Sequence, residues 1–436
     1  MLSAPPCQRL FVLFLRNLKF LSLSTLFYNQ NCTGELRKQG GRTPVFHFHA
    51  GLGAIGKIRY IAYTHYREEP FGETMLISRR QTRTIQLGSL YIGSGHPVIV
   101  QSMTNTRTSD VDATIRQINR LTEAGADTVR LAVPDNAAAK ALATIRKASP
   151  VPLIADIHFN HKLALTAVDA GFEGLRINPG NIGGEGPVAT VVEAAKAADI
   201  CIRVGVNSGS VEKDLLVKYG GPTPEAMVES ALSHVRILED HDFYNTKISL
   251  KSSSVPHTLA AYRLLAEQCD YPLHIGVTEA GTLLSGAVKS AVGLGILLAQ
   301  GIGDTLRVSL THDPVREVDV AYMLLRSLDL RKRGPELVSC PTCGRTRIDL
   351  TTLAEAVEQR IASFPQVFTV AVMGCEVNGP GEAAGADIGI AGGAGKGTIF
   401  RKGTVIRTIS GDTDALLAGF MEEIAIFLKE EHNHGE

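Results

Sequence analysis

Three cysteines near the carboxyl end of the chain have the spacing that most directly suggests chemistry. Cys340 and Cys343 are two residues apart, and Cys375 follows an apolar run further along. Glycine or proline adjoins both the Cys340–Cys343 pair and Cys375, so the backbone at these two places can wrap around a bulky centre. Three thiolates in this arrangement suit zinc, an iron–sulfur cluster or a redox dithiol.

The fourth ligand distinguishes these three kinds of centre. Structural zinc normally has four protein ligands, and the nearest downstream histidines, His432 and His434, fall in a predicted tail. A thioredoxin-like dithiol would not need Cys375. A [4Fe–4S] cluster accepts three cysteines and one oxygen ligand, which Glu382 could supply from the loop that contains Cys375. The pattern favours the cluster, with zinc and the dithiol as alternatives.

A second candidate set is cationic, and each member lies in or at the end of a predicted apolar strand. These residues are Arg130, Arg176, Arg203, Lys251 and Arg307. Only two acids, Asp156 and Glu279, occupy equivalent positions. Buried charge is costly unless it is paired, and a guanidinium donates two parallel hydrogen bonds to phosphate oxygens. The excess positive charge therefore predicts an anion site, and a set of interior ion pairs is the alternative.

The elements that must position these residues alternate between short apolar strands and helices. The predicted strands span residues 98–102, 128–133, 152–158, 174–178, 201–207, 246–251, 273–279 and 305–310. Their apolar runs are nearly continuous, as in parallel strands covered on both faces. Eight such units predict a (β/α)₈ TIM barrel over residues 75–333, with an active site at the carboxyl ends of its strands. A doubly wound sheet is the alternative, but no glycine-rich dinucleotide turn follows the first strand.

A second, smaller α/β domain is predicted for residues 334–436. A charged stretch and turn at 331–335 mark the linker. After the paired cysteines, one helix face carries Leu350, Leu353, Val357, Ile361 and Phe364. A strand over 367–373 then leads to Cys375, and a hairpin around Lys402 and a helix from Asp412 complete the domain.

Residues 1–74 differ in character from the rest. The apolar run 10–15 is short, it is followed by Arg16 and Lys19, and no acidic residue precedes Glu35. A signal or transit peptide has such features, but the pattern favours an extension without function, with a natural start at Met75. Across all 436 residues the 44 Lys and Arg balance the 44 Asp and Glu, which argues against a nucleic-acid binder. No apolar run approaches the ~20 residues of a membrane span.

A family resemblance extends from about residue 80 to 425. It is carried, in order, by QSMTNT (101–106), ADIHF (155–159), LRINPGN (175–181), KYGGPTP (218–224), TEAG (278–281), GIGDTLRVSL (301–310), CPTC (340–343) and GCEVNGPGE (374–382). These strings resemble the 4-hydroxy-3-methylbut-2-enyl diphosphate synthase family in its short bacterial form.

The resemblance implies a barrel that binds 2-C-methyl-D-erythritol 2,4-cyclodiphosphate. It also implies a [4Fe–4S] domain similar to those of sulfite and nitrite reductases. Reduced flavodoxin or ferredoxin would supply two electrons for ring opening and dehydration. A cytoplasmic homodimer is expected, in which the cluster domain of one subunit closes over the barrel of the other. The alternative function is that of a redox-neutral TIM-barrel phosphate-ester enzyme with a structural zinc domain.

The resemblance also assigns roles to single residues. The implied cluster ligands are Cys340, Cys343, Cys375 and Glu382. The implied substrate-binding residues are Arg130, Arg176, Arg203, Asn207, Lys251, Arg307 and Ser309. Glu279 is the implied proton-handling acid, and Asn378 the implied substrate contact in the cluster loop.

Overall fold

The computed structural model describes residues 46–52, 58–64, 77–376 and 383–434. The chain divides into two units, Met1–Leu76 and Ile77–Glu436. In the first unit, β1 (Phe46–Leu52) and β2 (Ile58–Thr64) pair as an antiparallel hairpin. Among the helices of the described residues, none combines the length and hydropathy needed to traverse a bilayer.

A parallel eight-stranded barrel forms most of the second unit. Its strands are β5 (Ile99–Met103), β6 (Thr128–Ala132), β7 (Leu153–Asp156), β8 (Gly174–Ile177), β9 (Cys201–Asn207), β10 (Thr246–Lys251), β11 (His274–Ile275) and β12 (Thr305–Leu306). They run in the order β10-β9-β8-β7-β6-β5-β12-β11, and a parallel bridge between Ile248 and Leu273 joins the two ends. The predicted (β/α)₈ barrel is confirmed.

Helices alternate with these strands along the chain. They are α1 (Val111–Ala124), α2 (Asn136–Ala148), α3 (His161–Asp169), α4 (Glu185–Ala197), α5 (Lys213–Tyr219), α6 (Pro224–Glu239), α7 (Val255–Gln268), α8 (Leu283–Ala299) and α9 (Pro314–Ser327). Side-chain caps such as Asp110, Asp135 and Asp313 accept backbone N–H groups at the helix starts. Apolar residues of the strands and helices together form one continuous core cluster.

A short hairpin closes the barrel interior at the amino ends of its strands. It consists of β3 (Ile85–Leu87) and β4 (Leu90–Ile92). Ile85, Leu87 and Ile92 pack with Ile99, Ile154 and Cys201, all of them buried. Cys201 is therefore a core cysteine. The preceding segment is fastened to the same end, because Arg79 pairs with Asp304 at 2.7 Å.

Two strands are shorter than the sequence predicts. β11 and β12 pair over two residues each, whereas 273–279 and 305–310 were expected to be strands. Part of the reason is that a side chain replaces a ladder bond between β10 and β11. The Tyr262 hydroxyl accepts from Leu250 N–H at 3.0 Å and donates to the His274 carbonyl at 2.6 Å.

The smaller α/β domain follows the barrel. It contains β13 (Glu336–Ser339), α10 (Leu350–Ile361), β14 (Thr369–Met373), β15 (Ile388–Gly393), β16 (Lys396–Arg401), β17 (Thr404–Ser410) and α11 (Thr413–His434). Strands β13 to β15 are parallel, and β15 to β17 are antiparallel. Apolar residues of α10 and α11 form one core cluster with those of the sheet. The predicted linker is anchored to the barrel, because Arg333 Nε donates to the Ala124 carbonyl at 3.0 Å.

Candidate active site

Four of the predicted cations lie toward the carboxyl ends of their strands or just beyond, and Arg203 lies inside β9. Asp156 joins two of these cations. Its carboxylate is 3.6 Å from Arg130 Nε and 3.4 Å from Arg176 Nη1. Burial alone would raise the pKa of Asp156, but the charges of Arg130 and Arg176 outweigh it, and the pKa falls below its usual value. Asp156 is therefore charged at neutral pH and partly balances both guanidinium groups.

Arg176 lies across β9 because residue 205 is glycine. Its Nη2 donates to the Gly205 carbonyl at 2.9 Å, and a Cβ at position 205 would stand 3.0 Å from Arg176 Nε. The Asn178 Oδ1 atom accepts from Gly205 N–H at 3.1 Å. Strand β9 and the loop after β8 thus jointly fix the position of the Arg176 side chain.

Arg307 has an acidic partner that the sequence did not indicate. Glu317, in the first turn of α9, accepts from Arg307 Nε and Nη2 at 3.2 Å each, and from Leu310 N–H at 3.0 Å. Glu317 is buried. The available signal was its position on the apolar face of α9, four residues before Ala321.

Arg203 and Lys251 have neutral partners. Arg203 Nη1 donates to Ser249 Oγ at 2.8 Å, while its Nε has no hydrogen-bond partner within the described residues. Lys251 Nζ stands 3.2 Å from His274 Nε2. Burial and neighbouring cations lower the pKa of both groups well below the ordinary values. Burial, and after it the charges of Arg307 and Arg176, also lower the pKa of Arg130 to about 10, although Asp156 opposes this.

A sixth cation, Lys247, is buried deeper in the barrel and was not predicted. It pairs in register with Arg203, and its Nζ has no hydrogen-bond partner in the part of the chain that is described. Burial lowers the pKa of Lys247 to about 8. A lysine within an apolar strand run was the signal for it. The whole arrangement carries more positive than negative charge, as an oxyanion site requires.

Three other predicted residues lie less deeply. Asn207 is half-buried, and its backbone N–H donates to Ser210 Oγ at 2.9 Å. Ser309 is half-buried in the segment after β12. Glu279 is exposed in the loop after β11 with φ of 53°, so it is not among the buried acids that balance the cations. Glu317 takes that place.

Backbone hydrogen bonds bring the cysteine loop to the end of β14. Gly374 N–H donates to Cys340 Sγ at 3.2 Å, and Arg347 N–H donates to the Gly374 carbonyl at 2.9 Å. Cys375 is buried, Cys340 half-buried and Cys343 exposed. Hydrogen bonds from Arg345 lower the pKa of the Cys343 thiol and favour its thiolate.

All three cysteines are free thiols, and Cys340 already accepts an N–H···S hydrogen bond of the kind that tunes cluster potentials. The donor set therefore fits an iron–sulfur centre in its chemistry. Over residues 77–376 and 383–431, no three His, Cys, Asp or Glu side chains stand close enough to one another to hold a metal ion. The three cysteines are therefore not gathered into a complete ligand set in this structure. The predicted residues Asn378 and Glu382 lie outside the described residues.

Two family models match the chain. Residues 82–322 match the model described as "GcpE TIM-barrel domain", and residues 336–425 match "GcpE protein C-terminal domain". Their boundary coincides with the linker between the barrel and the smaller domain.

Bacterial relatives share most of their length with this chain. A protein of Maridesulfovibrio salexigens is 64% identical over 81% of this chain and 99% of its own length. A protein of Nitratidesulfovibrio vulgaris is 59% identical over 86% of this chain and 97% of its own length. A protein of Geobacter sulfurreducens is 58% identical over 81% of this chain and 100% of its own length. Each carries the name 4-hydroxy-3-methylbut-2-en-1-yl diphosphate synthase (flavodoxin).

Proposed function

We infer the roles of the two sites from one premise: this chain belongs to the GcpE family of 4-hydroxy-3-methylbut-2-en-1-yl diphosphate synthases, which are iron–sulfur oxidoreductases. The reaction is the reductive ring opening and dehydration of 2-C-methyl-D-erythritol 2,4-cyclodiphosphate. It consumes two electrons and one proton, releases water, and yields (E)-4-hydroxy-3-methylbut-2-enyl diphosphate. The redox-neutral alternative with structural zinc is not favoured.

The excess of buried positive charge carries the assignment of the substrate site. Asp156 and Glu317 balance part of the charge, while Arg203 and Lys251 have only neutral partners in the described residues. A cyclic diphosphate supplies several anionic oxygens in a small volume, and guanidinium forks match them. The predicted cation set, with Asn207 and Ser309 near it, therefore binds the diphosphate.

The side chains at this end of the barrel have two tasks in the reaction. The cations hold both phosphates, so that the charge that develops on the released diphosphate oxygen is stabilised where it forms. Glu279 is exposed beyond β11, where it can hand a proton to the departing hydroxyl group. Asn378, in the loop after Cys375, contacts the substrate from the smaller domain.

Cys340, Cys343, Cys375 and Glu382 hold a [4Fe–4S] cluster in this proposal. When bound, such a cluster supplies the single electrons that reductive C–O cleavage needs and that no side chain provides. The three free thiols support this ligand set, as does the N–H···S bond at Cys340. Glu382 is assigned from the family resemblance.

The cluster assignment is tested by iron and sulfide analysis of protein purified without oxygen. We expect about four irons and four sulfides per chain. Cys343→Ser should lose most of the iron and the turnover of cyclodiphosphate, while the barrel stays folded. Cys269→Ser is the matched control in the barrel and should keep both. A full cluster in Cys343→Ser, or stoichiometric zinc in the native protein, would refute the assignment.

Reduced flavodoxin is the proposed electron donor, with ferredoxin as the alternative. The names of the relatives include flavodoxin, and the exposed Cys343 lets a donor protein come close to the cluster loop. We place the reaction in the cytoplasm. Turnover measured with each reduced donor at equal concentration distinguishes the two.

A homodimer is the proposed assembly, and α8 offers an apolar surface for it. Leu284, Val288, Val292 and Ile296 recur every four residues along α8 and are 78%, 56%, 48% and 36% exposed. The stripe follows a helix of about 25 Å. Because it is apolar, it suits a two-fold copy of itself better than a partner attracted by charge.

The dimer is tested by sedimentation velocity. Leu284→Asp with Val288→Asp should shift the protein to monomer. Val217→Asp, at an isolated exposed apolar residue of α5, should leave it dimeric. A monomeric native protein, or a double variant that stays dimeric, would exclude this surface as the interface.

A further inference from the structure

His274 is a buried residue that the proposed reaction does not use. Its Nε2 lies 3.2 Å from Lys251 Nζ, and its Nδ1 lies 2.7 Å from Thr305 Oγ1. His274 and Thr305 are fully buried, and Lys251 is 5% exposed. One imidazole thus connects β10 to β12 through β11, at the edge of the cation set.

Hydrogen-bond chemistry fixes the state of this ring. When Lys251 is charged, as binding of an anion requires, its ammonium has three donors and no acceptor, so His274 Nε2 accepts from it. The ring proton is then on Nδ1 and is donated to Thr305 Oγ1. A charged imidazole would put a second positive charge 3.2 Å from the ammonium in a buried place, which is unfavourable.

The charges around the pair are mostly positive, and these cations also favour a neutral imidazole. The charged groups that face it are Arg130, Arg203, Lys247, Arg307 and Glu317. Burial, and after it the charges of Lys251, Arg203, Lys247 and Arg130, hold the pKa of His274 well below its ordinary value. The imidazole is therefore a neutral acceptor at the pH of binding.

A neutral acceptor does something that a carboxylate cannot do. Glu317 fixes Arg307 in place, but its charge also cancels much of the charge of Arg307. His274 orients Lys251 and leaves the ammonium charge available to an anion. Two of the three ammonium N–H bonds remain to be directed at a ligand.

Gly276 provides the room for this arrangement. A Cβ at position 276 would lie 2.5 Å from Lys251 Nζ and 2.8 Å from Lys251 Cε. The same short segment thus contains the group that holds the ammonium and the gap that the lysine side chain fills.

We propose that His274 is a positioning residue, which holds the charged end of Lys251 toward a phosphate of the substrate. The proposal rests on the proposed function, in which Lys251 binds the cyclodiphosphate. Thr305 fixes the ring orientation, and Gly276 keeps the path of Lys251 clear.

A double-mutant cycle on the oxidised holoenzyme tests this role. The affinity for cyclodiphosphate is measured by calorimetry, without reductant, for the native protein, Lys251→Ala, His274→Leu and the double variant. His274→Leu should weaken binding roughly 10- to 100-fold, as expected for loss of a hydrogen bond to a charged group. In the Lys251→Ala background the same change should cost less than about twofold.

Two further readouts separate positioning from a merely structural role. His274→Gln retains an acceptor for Lys251 and a donor for Thr305, so it should restore most of the affinity. In His274→Leu the Lys251 ammonium loses its acceptor, so the lysine should lose its proton at a lower pH. As the pH is raised, the affinity for cyclodiphosphate should therefore fall earlier in this variant than in the native protein. The exposed His257→Leu is the matched control and should bind normally.

The outcomes distinguish the two levels of the proposal. Unchanged affinity in Lys251→Ala would remove Lys251 from the anion site and so contradict the part of the proposed function on which the role of His274 rests. A strong effect of Lys251→Ala combined with no effect of His274→Leu would overturn only the role of His274. If His274→Leu weakens binding by the same factor in the native protein and in Lys251→Ala, the role of His274 is likewise overturned. If His274→Leu does not fold, Gly276→Ala replaces it in the cycle, with the same expected dependence on Lys251.

Discussion

At the level of single residues, the partners of the predicted cations are of two kinds. Asp156 and Glu317 are carboxylates and cancel part of the charge of three arginines. Ser249 and His274 are neutral and leave the charges of Arg203 and Lys251 uncancelled. The first kind stabilises the empty barrel, and the second leaves it able to attract an anion.

Replacing Glu317 tests the first kind of partner. Glu317→Gln should lower the free energy of unfolding of the ligand-free protein by roughly 1–3 kcal/mol, because the half-buried guanidinium of Arg307 loses its counter-charge. Added cyclodiphosphate should recover more stability in this variant than in the native protein. Urea unfolding with and without the ligand measures both effects.

Asp319→Asn is the control on the same helix. Asp319 pairs with the exposed Arg316 at 3.1 Å, and such surface pairs contribute at most about 1 kcal/mol. If the two variants lose the same small amount of stability, Glu317 is not the compensating charge.

At the level of elements, a side chain completes the barrel between β10 and β11, where the backbones share a single isolated bridge. Tyr262 of α7 bridges Leu250 of β10 and His274 of β11 through one hydroxyl group. The bridge lies one residue from Lys251, so the same contact that closes the barrel also sets the position of a proposed substrate ligand.

Removing this hydroxyl should be costly. Tyr262→Phe leaves the Leu250 N–H and the His274 carbonyl unpaired in a buried place, and we expect a loss of roughly 1–3 kcal/mol in unfolding free energy. Tyr244→Phe, at a half-exposed residue, should change it by less than about 0.5 kcal/mol. Thermal unfolding of the two variants gives the comparison, and equal midpoints would show that the bridge is dispensable.

The sequence predicted some strands closely and others poorly, for a physical reason. β9 and β10 begin and end where expected, because each is a long buried run and β10 pairs with β9 in parallel register over its whole length. β11 is short, and Tyr262, which replaces part of its ladder, belongs to helix α7 and lies twelve residues before His274 along the chain. Hydrophobic patterns carry no information about such a substitution.

The same limit applies to the candidate site. Strand ends revealed the cations, since the barrel brings those ends together. Their partners Glu317 and His274 come from a helix and from the interior of a strand run, and their pairing depends on distances that only the fold sets. Glu279 has the right type and position along the chain, but it lies exposed in the loop after β11, and its backbone there is left-handed.

At the level of the whole molecule, the barrel requires a segment that precedes its first strand. Arg79 pairs with Asp304, Arg80 donates to the carbonyls of Cys269 and Tyr271, and Arg83 pairs with Asp270. These contacts begin a few residues after the division between the two units at Leu76 and Ile77.

Two truncations should therefore behave differently. A chain that starts at Met75 should keep the thermal midpoint and turnover of the full chain, because the barrel contacts of Arg79 to Arg83 are retained. A chain that starts at Ile85 should unfold at a clearly lower temperature, since Asp304 loses its buried partner. Loss of turnover in the first truncation would assign a role to residues 1–74.

The hairpin of β3 and β4 has a kinetic consequence. It covers the amino ends of the strands with Ile85, Leu87 and Ile92, so the cations are reached from the opposite face, at the carboxyl ends of the strands. Incoming substrate and outgoing product must then use the same passage in turn, and neither can pass the other. Accumulated product should thus compete directly with fresh substrate for entry, and its departure, rather than bond cleavage, can set the pace of the cycle.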